Sequence, residues 1–79
     1  MDATISFKNK SKTITIKNLK EIEYAKAQIF DDPLGESEII SITENFNRLK
    51  LSDIDDEVSF IGDETLTIVK SSIESILFQ

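Results

Sequence analysis

The chain has 79 residues, 39% of them apolar and 30% charged, with nine basic against fifteen acidic side chains for a net charge of −6. Those proportions exclude a disordered tail, and no apolar run approaches the roughly 18 residues that span a bilayer. The absence of Cys and His excludes a disulfide framework, a thiolate metal site, a cysteine nucleophile and an imidazole base. A chain this short buries only about 60% of its unfolded surface, so a protein partner or a second copy would add to a narrow margin of stability. Thirteen Ile, and eight Lys against one Arg, are what an AT-rich genome produces. No basic stretch precedes an apolar run at the N-terminus, so a cytoplasmic protein is expected.

In chain order, Ala3, Ile5 and Phe7 alternate with polar residues, and after Asn9-Lys10-Ser11 the alternation resumes through Thr13, Ile14, Thr15 and Ile16, which predicts a β-hairpin. Asn18 with Glu21 three residues later reads as a capping box, and Leu19, Ile22, Ala25, Ile29 and Phe30 follow at helical spacing. The spacing predicts a helix of roughly three turns, stopped near Asp31 or Asp32 by Pro33 and Gly35. A second hairpin is expected from Glu38–Thr43 and Arg48–Ser52 around Asn45-Phe46-Asn47, and a third from Val58 and Phe60 through Gly62-Asp63-Glu64 to Thr65–Lys70. The tail is open to two readings: Ser71 and Glu74 can cap a short helix, while Ile76, Leu77 and Phe78 can extend a strand. The expected fold class is α+β: a single small domain, 1–79, ordered ββα then about four strands, with one helix packed on a largely antiparallel sheet. Ile5, Ile14, Ile16, Ile22, Ile29, Phe30, Ile40, Ile42, Leu49, Leu51, Leu66 and Ile68 form the expected core.

The segments KTITIKNLKEIEYAKAQIFDD, RLKLSDI and DETLTIV resemble, in order and spacing, the hairpin, helix and last strand of a ubiquitin-like β-grasp domain. The C-terminal Gly-Gly that conjugation requires is missing, since the chain ends Ile76-Leu77-Phe78-Gln79 and its only glycines are Gly35 and Gly62. The second half, from EIISITENFNRLKL to TLTIVKSSIESI, is similar to the strand succession of small SH3-like or Sm-like barrels.

Little chemistry is available to such a chain. Ser71 and Ser72 beside Lys70 read as a strand end followed by a cap rather than as a Ser–Lys nucleophile, and a domain this small has scant volume for two carboxyls facing across a cleft. The expectation is therefore a non-enzymatic protein that needs no cofactor. The densest feature is DIDDE, residues 53–57. Tested as a calcium loop, Asp53, Asp55, Glu57 and Glu64 fall in phase, but Val58 occupies the sixth position, where the loop needs glycine. No metal site is expected.

Charge is unevenly distributed. Residues 1–26 carry six lysines against three acids, a balance of +3, and residues 27–79 carry three basic residues against twelve acids, a balance of −9. One reading uses Lys8, Lys10, Lys12 and Lys17 as a ribbon against a nucleic-acid backbone; it lacks aromatics for stacking and opposes the net charge, and edge-strand lysines that deter strand pairing account better for them. The favoured reading is an interaction module whose acidic face docks a basic protein surface, in its extreme form by mimicking a nucleic-acid backbone. Small acidic proteins of phages and mobile elements, which this chain resembles in size and composition, inhibit nucleic-acid enzymes in that way. The candidate partner-binding residues are Asp53, Asp55, Asp56, Glu57, Asp63 and Glu64, with Glu36 and Glu38 alongside.

Overall fold

The computed structural model describes residues 1–26 and 38–79. It contains seven strands: β1 (Ala3–Phe7), β2 (Thr13–Ile16), β3 (Glu21–Lys26), β4 (Ile39–Ile42), β5 (Ile54–Ile61), β6 (Thr65–Val69) and β7 (Ile73–Phe78). They form two antiparallel sheets, ordered β2-β1-β7 and β4-β3-β5-β6. The only helical pieces among the described residues are single 3-10 turns at Phe46–Arg48, Leu51–Asp53 and Lys70–Ser72. The α+β expectation is thus corrected to an all-β architecture, and the segment that a β-grasp domain would fold as a helix is instead, over Glu21–Lys26, a central strand of the larger sheet.

The reason lies in Ile22 and Tyr24. Alternation, not a 3.6-residue period, is what β3 uses: Ile22 and Tyr24 face inward while Glu21, Glu23 and Ala25 face outward, and strands pair along both edges. Glu, Ala and Lys favour helix only weakly, by a few tenths of a kcal/mol each, and two flanking ladders override that preference. Asn18 shows the same correction locally. Its φ of 53° is left-handed, whereas an N-cap residue sits in the β region, so it turns the chain instead of starting a helix. The three non-glycine residues with positive φ among those described are all asparagines, Asn9, Asn18 and Asn45, each placed in a connection between strands.

The first and third hairpins form as expected, with Ile5 opposite Ile14 and Phe60 opposite Leu66. The second does not. Strands β4 and β5 both run antiparallel to β3 and flank it, so the chain must return from the Ile22 end of β3 to its Lys26 end before β5 can begin. Residues 43–53 make that crossover in two 3-10 turns rather than pairing back on β4. Phe46, expected at a turn tip, is buried and stacked on Phe78 with ring centroids 6.2 Å apart, which ties the crossover to the smaller sheet. In the tail the strand reading holds, since Ile73–Phe78 pairs with β1.

The core lies between the sheets and draws on both: Ala3, Ile5, Ile16 and Ile73 from one, Ile22, Ile54, Val58 and Phe60 from the other, with Leu19 and Phe46 at its margins. Of the expected core, Ile5, Ile16 and Ile22 are buried, Ile42, Leu49, Leu51, Leu66 and Ile68 pack half-buried against it, and Ile40 is half-buried. Ile14 is exposed because β2 is an edge strand; Ile29 and Phe30, with the helix end expected at Pro33 and Gly35, lie outside the described residues. No helix among the described residues is long and apolar enough to cross a membrane.

Candidate functional site

DIDDE is not a turn. Asp53 closes a 3-10 turn, and Ile54 to Glu57 open β5. Ile54 pairs with Lys26 and Val58 with Tyr24, so the single residue Ala25 on β3 faces three residues, Asp55, Asp56 and Glu57, on β5. Two extra residues are therefore accommodated as a bulge, which leaves the extra backbone unpaired and re-aims the side chains. The consequence is visible at Asp56. Strand parity alone would turn its carboxylate inward between the buried Ile54 and Val58, yet all three acids are exposed. The bulge lets an inward-parity charge escape the core, where an unpaired carboxylate would be very costly.

Beside the bulge lies an open groove of about 350 Å³ whose lining includes Glu23, Ala25, Ile39 and Ser59 as well as Asp55, Asp56 and Glu57. Ile39 is 61% exposed, the highest value among the large apolar side chains of the described residues. The groove thus has an aliphatic patch, Ala25 and Ile39, rimmed by four carboxylates from two neighbouring strands. Beyond the groove this outer face is mixed: Glu23 opposes both Ser41 and Ser59, the Ser59 and Thr67 hydroxyls hydrogen-bond at 2.8 Å and the Ser41 hydroxyl donates to Glu21, while Val69 stands opposite Glu57 and Ile61 opposite Glu21.

The other expected site residues stand apart. Asp53 lines a second groove, of about 210 Å³, with Tyr24, Glu44 and Arg48 among its walls. Asp63 and Glu64 occupy the β5–β6 turn with Thr15 and Lys17 nearby. Four strand residues, Val58–Ile61, and Gly62 lie between Glu57 and Asp63, and the strand stretch alone spans more than about 13 Å at the usual rise, well beyond the roughly 8 Å over which exposed charges interact at physiological salt. Asp63 also helps to hold the two sheets together, since it accepts a 2.9 Å hydrogen bond from the Asn18 side-chain amide, and its backbone N–H donates to the Lys17 carbonyl. Glu38 is exposed just before β4, and Glu36 lies outside the described residues. Among the described residues no three acids converge in a way that could hold a metal ion. Lys8, Lys10 and Lys12 fall in the β1–β2 connection rather than along one strand face, and Lys17 sits beside Asp63 and Glu64.

Glu23, Ala25 and Ile39 do not stand out in the sequence. The alternation Ile22-Glu23-Tyr24 is the available signal for Glu23, and the helical spacing obscures it. Nothing local announces the bulge, which exists only in the pairing of β5 with β3.

Tyr24 is the one group among the described residues whose acidity is clearly perturbed. Burial, and secondarily the Asp53 carboxylate, push its phenol above the ordinary value of 10.0. Because the folded chain holds this proton more tightly than the unfolded one, the associated stability is present below pH 10 and is lost as pH rises through the folded value. Tyr24 is the sole tyrosine and there is no tryptophan, so phenolate absorbance reports it alone. Asp53→Asn should move that titration toward 10, and Tyr24→Phe should flatten the alkaline fall in stability relative to wild type; an unshifted midpoint in Asp53→Asn would separate the two groups. Compared with protein-family models, curated proteins and solved structures, the chain matches none of them.

Proposed function

We propose that this protein is a non-enzymatic interaction module that docks a basic protein segment in the groove formed by β3, β4 and the β5 bulge. The observation that carries the reading is the exposed Ile39 and Ala25 patch rimmed by Glu23, Asp55, Asp56 and Glu57. An apolar centre with a charged rim is the usual anatomy of a protein interface, and the carboxylates select a Lys- or Arg-bearing partner. The docking residues are accordingly Asp55, Asp56 and Glu57 with Glu23, while Asp53, Asp63 and Glu64 act at other places on the surface. Blocking a nucleic-acid-binding protein through its basic groove is the most specific form of this function.

The test is a bait comparison in extract from the native host, followed by surface plasmon resonance with the protein retained. A variant carrying Asp55→Asn, Asp56→Asn and Glu57→Gln should fold with unchanged or slightly higher stability, because exposed like charges repel and none has a buried partner. Its association rate should fall at least about tenfold at low salt, with a flatter salt dependence, while dissociation changes less. An unchanged association rate would leave the bulge with no part in binding.

A further inference from the structure

We propose that the chain forms a two-fold dimer by antiparallel pairing of β6 with β6 of a second copy. Among the described residues β6 pairs only with β5, so its other edge is open. Thr65-Leu66-Thr67-Ile68-Val69 contains no charge, proline or glycine, and Thr65, Thr67 and Val69 are exposed. Sheet edges are normally protected against pairing by charges, proline, bulges or brevity. The other edge strands have such protection. Lys12 and Lys17 bracket the four residues of β2, β4 is equally short and lies between Glu38 and Glu44, and β7 carries Glu74 within it.

What bracketing charge β6 has favours its own copy. Glu64 precedes the strand and Lys70 follows it. In an antiparallel pair centred on Thr67, Thr67 meets Thr67 of the second copy, Leu66 meets Ile68, Thr65 meets Val69, and Glu64 stands opposite Lys70 at both ends. Thr67 meets its own copy once, on the axis, and two-fold symmetry makes every other contact twice, so one strand supplies a self-complementary edge with two opposite-charge pairs. The same operation on β2 would set Lys12 against Lys17 of the copy, a repulsion. Pairing through β6 joins the larger sheets into one of eight strands. Because paired residues share a face, it also puts the outer faces of both copies, with their acidic grooves, on the same side. The dimer does not depend on what those grooves bind.

The chain has no cysteine, so one introduced thiol reports the register without interference. Opposed residues in an antiparallel ladder lie about 4.5–5.5 Å apart at Cα, within disulfide range. Sedimentation equilibrium of the full chain should show a concentration-dependent dimer. Glu64→Lys and Lys70→Glu should each weaken it about tenfold, and the two together should restore it, with circular dichroism confirming that every variant keeps its strands. Under mild oxidation Thr67→Cys should cross-link at least about tenfold faster than Thr65→Cys, whose opposite position is Val69. A monomer at every concentration, a double variant no tighter than the singles, or equal cross-linking at 65 and 67 would each overturn the proposal.

Discussion

Phe60→Ala should cost about 3–5 kcal/mol of folding stability, read as a lowered midpoint in urea. Phe60 is fully buried, the largest such side chain among the described residues, and stands in the row Ile42-Ile22-Phe60-Leu66 that crosses all four strands of the larger sheet. At roughly 0.05–0.15 kcal/mol per residue, a domain this small has about 4–12 kcal/mol in total, so the variant should lose between about a quarter and all of that margin. Ile39→Ala is the matched control. That side chain is exposed on the outer face, and its loss should change stability by less than about 0.5 kcal/mol. A cost below about 1 kcal/mol at Phe60 would mean that the two sheets do not close over it.

The second large effect is expected at Gly62→Ala. A Cβ at this position would lie 2.6 Å from the Lys17 carbonyl oxygen and 2.9 Å from Ile16 Cγ2. The first of these atoms is backbone and the second belongs to a buried core residue, so neither can step aside cheaply. Here the β5–β6 turn meets the segment joining β2 to β3, held by the Asp63–Lys17 and Asp63–Asn18 hydrogen bonds, and added bulk would push the two sheets apart. A loss of about 1–3 kcal/mol is expected. A stability equal to wild type in thermal unfolding would show that this contact yields without cost.

How much of the fold is legible in the sequence depends on whether the signal is local. The β1–β2 and β5–β6 hairpins are readable because alternation and turn residues sit side by side in the chain. Residues 19–26 mislead because Leu19, Ile22 and Ala25 fit a helical stripe while Ile22 and Tyr24 fit a strand, and only the ladders on both sides of β3 decide between them. The crossover 43–53 misleads for a related reason: Leu49 and Leu51 alternate, but β4 and β5 run parallel, and no local pattern reveals that the chain must double back between them. Ile54 and Val58 enclose three acids, so their burial is foreseeable only once the bulge is known. The acidic stretch is conspicuous in the sequence; which carboxylates lie near it is not, because Asp63 and Glu64, close in sequence, lie at the far end of an eight-residue strand.

Deleting Asp55 and Asp56 separates the bulge from the fold. Ile54-Glu57-Val58 would then face Lys26-Ala25-Tyr24 residue for residue, with Ile54 and Val58 still inward and Glu57 outward, so the ladder becomes regular. If the bulge serves docking, the shortened chain keeps or slightly raises its urea midpoint, while its association with the basic partner captured by the wild-type chain falls to background at low salt. A shortened chain that unfolds, or one that folds and binds at the wild-type rate, would contradict the assignment of these three carboxylates to an interaction surface.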